Sequence, residues 1–484
     1  MIGIIFATLG FLPQINVEAD GRKIDALIDK ARQTWHVPGV AVVIVDGDKV
    51  LYLKGAGQCA SDKPSPVTPD TLFPLASCTK AFTTTLMAML ADDGKLHWDD
   101  PVRKHLKDFH LSDPLADGDV RLRDLVSHRT GVASHDLLWY RAKWDQKEMV
   151  RRVGLLPLDR PFRTAMQYQS IMFIAAGQAA EAAGKQPWED MVKSRILEPL
   201  GMKSATTRTP NAKTLAMPHR KNADGEIEGI PFYDLSDPNA AGSIHMSARD
   251  LAIWLQLHLN EGRHGDNRLV STANLRATHS PHIVIPMEGP NAALHPFTQQ
   301  MSYGMGWVIQ DYRGELLVSH AGLIDGFRAH ITLLPKRKLG LAILCNLDQT
   351  RMNLALSNAI VDLLLDKKAK DWNEHYGEIV VQEEFAAKRR AVEIDRGRKF
   401  GTKPSLPLAS LVGKYADAAY GEAEVKMEKD RLVLEWSRFR CEMEHYQYDT
   451  FRVQDRLVGK WLIEFMIREG KVKGLNAIGV EFKR

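Results

Sequence analysis

The chain has 484 residues, 44% of them hydrophobic and 26% charged, with a formal net charge of +4 at pH 7. This balance is typical of a soluble globular protein with room for two or three domains of roughly 150 residues each. Lysine and arginine are scattered instead of forming blocks, so the charge gives no reason to expect binding to nucleic acid or to an anionic membrane.

The spacing of cysteine and histidine argues against metal and redox sites. The four cysteines lie far apart without a Cys-x-x-Cys pair, and the 17 histidines form no His-Glu-x-x-His motif. Zinc ribbons and thioredoxin-like motifs need such close pairs. Four widely separated cysteines also do not have the spacing of a disulfide framework. The sequence therefore predicts no metal and no organic cofactor.

The first 19 residues contain an apolar run with the length of a signal-peptide core, too short to cross a membrane. Small residues follow at Val17-Glu18-Ala19, where a signal peptidase would cut. The segment predicts export to the periplasm or the medium, and the chain shows no integral membrane span. No Lys or Arg precedes the run, so a cytoplasmic location, with the segment packed on the domain, stays open as the alternative.

The next elements are a helix, a hairpin and a second helix. Apolar residues recur at helical spacing over residues 21–36. Residues 40–57 form two β-type runs around an Asp-Gly turn, which predicts a hairpin. A second apolar helix begins near Ser77 and ends at Gly94.

The rest of the first 365 residues predicts an α/β unit. Residues 100–265 are mainly helical in pattern, and residues 280–300 are rich in Pro, Asn and His without periodicity, which predicts a long loop near something functional. Three strand-like runs with tight connections follow within residues 315–346, as in an antiparallel meander. Strands at both ends of a helical middle predict a two-lobed domain with a groove between sheet and helices.

The composition changes after residue 365. A charged, helical-looking connector leads into a Pro-containing linker, and the remaining residues alternate between apolar and polar with turns between the runs. This pattern predicts a separate small all-β domain, similar to a barrel. We therefore divide the chain into a signal peptide (1–19), an α/β domain (20–365), a connector (366–407) and a small all-β domain (408–484).

Ser77 and Lys80 form the single Ser-x-x-Lys of the chain. Residues three apart on a helix share one face, so the amine can reach the hydroxyl. A serine becomes a nucleophile when a neighbouring base takes its proton, and a lysine can be that base if burial lowers its pKa from about 10.4. The alternative, for this motif alone, is a helix cap followed by a solvated lysine.

Several segments, in order along the chain, resemble the serine β-lactamase and penicillin-binding-protein superfamily. They include "TPDTLFPLASCTKAFT", "LRDLVSHRTGV", "AAGSIHMSARDLAIWL", "YGMGW" and "HAGLIDGFRA". The resemblance spans about residues 37–346 and is to the class C β-lactamase-related branch of esterases and D-amino-acid-specific peptidases. It implies the two-lobed β-lactamase/transpeptidase-like fold.

The resemblance implies roles for the residues that match the family motifs. Ser77 matches the acylated nucleophile and Lys80 its proton acceptor. Tyr168-Gln169-Ser170 is the single Tyr-x-Ser or Tyr-x-Asn of the chain and matches the second motif. Tyr168 would pass a proton to the leaving group, and the nearby ammonium would favour phenolate character. The other reading of an isolated tyrosine is a half-buried core residue.

The third family motif is Lys or His, any residue, then Gly. Four segments fit it: His320-Ala321-Gly322, Lys338-Leu339-Gly340, His375-Tyr376-Gly377 and Lys399-Phe400-Gly401. Only the first closes a strand-like run and continues as the family does. The resemblance then implies that His320 contacts the bound acyl compound, that Gly322 allows its close approach, and that the amides of Ser77 and Leu323 form the oxyanion hole.

Neighbouring residues are interpreted as structural. His128 and Gly131 predict a turn beside the groove, Tyr303 and Trp307 shape the pocket or core, and Cys78 is a small core residue.

The sequence thus predicts a serine hydrolase that forms an acyl-enzyme on a small-molecule or short-peptide substrate. Histidine at 320 and serine at 170 favour an esterase or D-amino-acid peptidase over a β-lactamase, which stays the alternative enzyme. A non-catalytic penicillin-binding or scaffold protein is the alternative of another class, and the sequence leaves the oligomeric state open.

Overall fold

The computed structural model describes residues 17–62, 64–211, 214–222, 224–233, 237–455 and 458–484. Residues 1–16 of the predicted export segment lie outside these ranges, so export stays a prediction. Among the residues described, no helix combines the length and apolar character needed to cross a bilayer.

Most helices belong to the first 365 residues. The helices are α1 (Val17–Trp35), α2 (Thr79–Asp92), α3 (Pro114–Asp119), α4 (Leu122–Leu125), α5 (Gln146–Val153), α6 (Ser170–Gly184), α7 (Trp188–Val192), α8 (Ala248–Leu259), α9 (Thr272–Thr278), α10 (Pro290–Leu294), α11 (Met352–Leu364), α12 (Trp372–Arg396) and α13 (Leu408–Leu411).

The strands fall into two groups, before and after residue 350. The first group is β1 (Gly39–Asp46), β2 (Lys49–Gly57), β3 (Leu72–Pro74), β4 (His219–Lys221), β5 (Ile227–Gly229), β6 (His245–Ser247), β7 (Arg263–His264), β8 (Asn267–Arg268), β9 (Ile283–Ile285), β10 (Met301–Tyr303), β11 (Val308–Tyr312), β12 (Glu315–Ile324), β13 (Phe327–Leu334) and β14 (Leu339–Cys345). The second group is β15 (Gly413–Asp417), β16 (Gly421–Glu428), β17 (Arg431–Trp436), β18 (Phe439–Gln447), β19 (Thr450–Asp455), β20 (Gly459–Arg468), β21 (Lys471–Ala477) and β22 (Val480–Lys483).

One antiparallel sheet joins the two ends of the α/β unit, in the order β2-β1-β14-β13-β12-β11-β10-β9. Strand β1 pairs with β14 from Val40 opposite Cys345 to Asp46 opposite Leu339. Both faces of β1 are buried, because its alternate residues enter two different cores. This explains why its sequence is a continuous apolar run instead of an alternating one.

The two cores lie on opposite faces of the sheet. On one face α1, α11 and the start of α12 cover the sheet. On the other face lies the helical lobe, which contains α2 and α6. Helix α2 is buried from Thr79 to Leu90, so it is a core helix with its first turn at the boundary between sheet and helices. The two-lobed α/β fold predicted from the sequence is confirmed.

Residues 280–300 are more ordered than the sequence predicts. They contain the edge strand β9 and helix α10. His375 and Tyr376 of α12 donate hydrogen bonds to the carbonyl oxygens of Ala293 and Leu294, at 3.0 and 2.9 Å. The segment therefore contacts α12, and the prediction of an aperiodic loop near something functional is wrong for β9 and α10.

The C-terminal strands β15 to β22 close into an eight-stranded antiparallel barrel, as the sequence predicted for this part of the fold. Alternate residues point inward and fill the barrel with side chains such as Val425, Leu434 and Phe465. The barrel contacts the α/β unit along residues 135–152, where His135 Nδ1 and the Tyr420 hydroxyl are 2.7 Å apart.

Candidate active site

Ser77 lies in a 3-10 turn, Ala76–Cys78, that connects β3 to α2. Ala76 has a φ of 46°, a conformation that residues other than glycine rarely adopt. Residue Cys78 occupies the N-cap of α2 and no side chain caps the helix. Ser77 is therefore not a helix cap, and its half-buried hydroxyl is free for other contacts.

Lys80, in the first turn of α2, has no exposed surface. Its Nζ lies 3.0 Å from Ser77 Oγ, 3.0 Å from the Ala241 carbonyl oxygen and 3.4 Å from Ser170 Oγ. Burial lowers the pKa of Lys80 to about 7, although the carboxylate of Asp136 opposes this shift. A lysine in this state is a usable base near neutral pH, and the solvated-lysine alternative does not fit its burial.

Tyr168 precedes α6 and faces the same amine. The side chain of Ser77 favours the ionised form of Tyr168 and acts to lower its pKa, and the Lys80 Nζ is 5.1 Å from the centre of the Tyr168 ring. Desolvation raises the pKa of Tyr168 above its usual value of 10. Burial thus dominates the pKa of Tyr168, with Ser77 acting in the opposite direction, and the shift runs against the phenolate character expected from the sequence.

His128 fixes the segment that carries Tyr168, a role that the sequence did not reveal. The imidazole is fully buried, and its Nδ1 accepts a hydrogen bond from the Gln169 amide at 3.1 Å. The ring also packs against Tyr168, with 4.2 Å between ring centres. Burial lowers the pKa of His128 well below its usual value, so the ring is neutral. Its backbone, with a φ of 57°, lies in the left-handed region, which is compatible with the turn predicted at His128 and Gly131.

His320 lies on β12 and is also buried. Its Nε2 is 2.9 Å from the Tyr303 hydroxyl, and its Nδ1 is 2.7 Å from the Ala321 carbonyl oxygen. Burial and the charge of Lys80 lower the pKa of His320 to about 3. The side chain is therefore neutral at physiological pH, and Tyr303 orients it.

Strand β12 approaches the Ser77 turn very closely at Gly322. A Cβ atom at this position would lie 2.1 Å from the carbonyl oxygen of Leu75, so glycine is required for the contact. The next residue, Leu323, is 53% exposed and lines a small recess together with Ser77 and Ser170. The glycine thus serves the packing of strand against turn, a reason different from the substrate approach expected from the sequence.

The structure brings Ser77, Lys80, Tyr168 and Ser170 together, and Leu323 lines the same recess as Ser77 and Ser170. The other three segments that fit the third motif are engaged elsewhere. Lys338 donates to the Leu259 carbonyl oxygen, His375 contacts Ala293, and the Lys399 amide donates to Gln447. Among the residues described, no group of three His, Cys, Asp or Glu side chains could hold a metal ion.

Comparison with known families decides the assignment. Residues 24–365 match the family described as Beta-lactamase. The chain belongs to the Beta-lactamase family. The family predicted from the sequence is therefore confirmed, and residues 397–483 match a domain of unknown function, DUF3471.

Individual relatives agree with this assignment. The chain is 30% identical over 431 residues to Unguisins hydrolase ungD′ of Aspergillus campestris, covering 84% of this chain and 78% of that protein. The structure of the octameric penicillin-binding protein homologue from Pyrococcus abyssi is 22% identical, with a TM-score of 0.66, and the match covers 96% of this chain and all of that one.

A further structure covers a smaller share of the chain. The D-stereospecific amidohydrolase from a Streptomyces species is 21% identical, with a TM-score of 0.58, over 72% of this chain and 100% of that one. At these identities the solved structures show a common fold. The family match and the hydrolase relative show that the protein is a serine hydrolase of the Beta-lactamase family.

Proposed function

We propose that this protein hydrolyses small esters or amides of D-amino acids through an acyl-enzyme on Ser77, without a metal or an organic cofactor. The observation that supports it best is the 3.0 Å contact between Ser77 Oγ and the amine of a fully buried lysine. Burial costs the charged form of this lysine its hydration. The neutral amine is therefore available to take a proton.

The acylation step uses three side chains and two amides. Lys80 takes the proton from Ser77 Oγ, which attacks the substrate carbonyl carbon, and the amides of Ser77 and Leu323 stabilise the resulting oxyanion. The protonated phenol of Tyr168 gives its proton to the leaving nitrogen or oxygen as that bond breaks. The Lys80 ammonium returns a proton to Tyr168.

Deacylation reverses the sequence with water as the nucleophile. Water loses a proton to the same Lys80 and Tyr168 pair, attacks the acyl carbon and releases the acid. The proton then returns to Ser77 Oγ, so the enzyme ends in its starting state. Ser170, 3.4 Å from the amine, keeps Lys80 directed at this position.

The ranking of substrates rests on His320 and Ser170. A neutral imidazole has no fixed charge for the carboxylate of a penicillin, whereas an uncharged ester or amide needs none. Esters and D-amino-acid amides are therefore favoured over β-lactams. The hydrolase relatives support bond hydrolysis over the non-catalytic binding or scaffold alternative.

The test is intact mass spectrometry after exposure to a fluorophosphonate, p-nitrophenyl esters, D-alanyl amides and benzylpenicillin. We expect a single adduct that peptide mapping places on Ser77, no adduct on Ser77→Ala, and faster turnover of esters or D-alanyl amides than of penicillin. An adduct on another serine would reject the mechanism. Efficient penicillin turnover with slow esters and amides would make β-lactamase the function.

A further inference from the structure

A larger cavity opens beside the Ser77 recess. It has a volume of about 320 Å³, enough for a side group of several heavy atoms. Trp139, Ile174, Tyr233 and Asn239 line both this cavity and the recess that contains Ser77. The two spaces are therefore adjacent parts of one continuous site.

Apolar and polar side chains share the lining of this cavity about equally. Its apolar walls include Trp139, Trp144, Met149, Ile174, Phe232 and Tyr233. The rings lie close to one another, with 6.2 Å between the centres of Trp139 and Tyr233. Such walls offer stacking and edge contacts to a flat ring.

Three polar side chains of the wall, Arg141, Gln146 and Asp325, are already engaged with the protein. The Gln146 amide donates to the Pro238 carbonyl oxygen at 3.0 Å, and Asp325 accepts a hydrogen bond from the Tyr140 hydroxyl at 2.7 Å. Arg141 pairs with Asp455 of the barrel at 2.9 Å. A ligand could bind to these polar groups only by breaking their existing contacts. The apolar side chains can contact a ligand without such a loss.

The barrel contributes one of the residues that line the cavity, Arg438. Between β17 and β18, the Ser437 hydroxyl and the Arg438 amide both donate to the Arg141 carbonyl oxygen, at 2.7 and 3.1 Å. The Arg141 guanidinium lies 5.2 Å from the Phe439 ring centre. These contacts fix the turn in place, and the side chain of Arg438 lines the cavity.

We propose that this cavity binds an aromatic side group of the substrate and that the turn at Ser437 and Arg438 gives the C-terminal barrel a direct part in substrate selection. The inference rests on the proposed function, because it assigns a substrate class to the same Ser77 site. It also gives the DUF3471 region a role, as the wall that limits the size of the bound group.

The experiment uses the full chain and two matched ester pairs. Ethyl phenylacetate against ethyl acetate places the aromatic ring on the acyl half, and benzyl acetate against ethyl acetate places it on the alcohol half. We expect kcat/KM to be at least about tenfold higher for the aromatic ester in one of the two pairs. Equal rates within both pairs would overturn the proposal.

Two substitutions at one exposed position, Arg438, test whether the barrel takes part in substrate selection. Arg438→Trp should narrow the cavity and reduce the aromatic preference by about tenfold, and Arg438→Ala should widen it and raise the rate of naphthyl esters relative to phenyl esters. Both keep the backbone amide that bonds to Arg141. Arg431→Ala, an exposed barrel arginine paired with Glu442, is the matched control and should keep the wild-type preference.

Fluorophosphonate labelling of Ser77 separates the two proposals. Labelling with an unchanged aromatic preference in both Arg438 variants overturns the role of the barrel and leaves the proposed function intact. Absence of labelling in the wild type rejects the proposed function itself. A changed preference with wild-type labelling and wild-type ethyl acetate turnover supports the inference.

Discussion

Lys80 shows how one buried side chain sets the chemistry of the site. Its amine has polar partners in Ser77, Ser170 and the Ala241 carbonyl oxygen, and none of the carboxylates that the structure describes is hydrogen-bonded to it. Desolvation therefore dominates, and the pKa falls from 10.5 to about 7. The proposed mechanism needs this group to be neutral, so acidification should inhibit the enzyme.

The first prediction is that kcat/KM for an uncharged ester rises with pH through about 7 and then levels off. The base must be unprotonated, and its lowered pKa places this transition near neutrality instead of near 10. Lys80→Ala should lose on the order of 10² or more in kcat/KM. The measurement is a pH-rate profile between about pH 5 and pH 9.

Lys95→Ala is the matched control, since this lysine is 46% exposed and pairs with the carboxylate of Asp93 at the surface. It should retain the wild-type rate and profile. A near-normal rate for Lys80→Ala would show that another group is the base.

The second prediction concerns Tyr168. Its pKa is raised by burial, so it donates as a neutral phenol and Tyr168→Phe should lower kcat by about 10² or more while the fold is retained. The expected loss is larger for an amide than for a p-nitrophenyl ester, because p-nitrophenolate leaves without a proton. Steady-state rates on both substrates, with circular dichroism as the check of folding, test this; equal losses would contradict proton donation by Tyr168.

The third prediction concerns His128. Because its Nδ1 accepts from the Gln169 amide inside the core, His128→Ala leaves that amide unsatisfied and should cost about 1–3 kcal/mol of the free energy of unfolding. Urea unfolding measures the change. His110→Ala, at a residue 56% exposed, should unfold like the wild type, and an equally stable His128→Ala would contradict the role of this contact.

At this scale the sequence predicted the motif residues but not the groups that orient them. Ser77, Lys80 and Tyr168 stand out because their spacing is rare in the chain. His128 and Tyr303 act through rings and hydrogen bonds that form only after distant segments meet, so no local pattern indicates them. The charge state of Tyr168 was wrong in the sequence analysis because it depends on burial, which spacing does not report.

Among the elements, β12 and the Ser77 turn depend on each other through Gly322. The fourth prediction is that Gly322→Ala costs about 1–3 kcal/mol of the free energy of unfolding and lowers activity, because the new Cβ would collide with the Leu75 carbonyl oxygen. Gly229→Ala is the control, since open space surrounds that position. Thermal unfolding and kcat/KM measure the two effects. A Gly322→Ala variant with wild-type stability and activity would contradict the close contact.

The elements themselves were predictable to different degrees. The β1–β2 hairpin and the β12 to β14 meander have β-type apolar runs joined by tight turns, and the structure contains them. Strand β9 has three residues and helix α10 has five, too few to produce a period. Their order comes from contacts with β10 and α12, which are set by the tertiary fold.

In the whole molecule, the barrel and the α/β unit share contacts around Arg141. The fifth prediction is that Arg141→Ala separates one cooperative unfolding transition into two, because it removes the ion pair with Asp455 and the contact with Phe439. Differential scanning calorimetry measures this. Arg151→Ala, at an exposed arginine paired with Glu148, should keep the single transition, and an unchanged Arg141→Ala profile would contradict the coupling.

The pairing of β1 with β14 has a consequence for how the chain is made. Val40 pairs with Cys345, so about 300 residues must follow β1 out of the ribosome before its partner exists, which takes about 15 to 60 seconds at usual rates of synthesis. During this time the β1–β2 hairpin has an open edge and two apolar faces, the features that promote aggregation. The yield of folded enzyme should therefore depend on chaperones that hold the nascent chain until residue 345 is made.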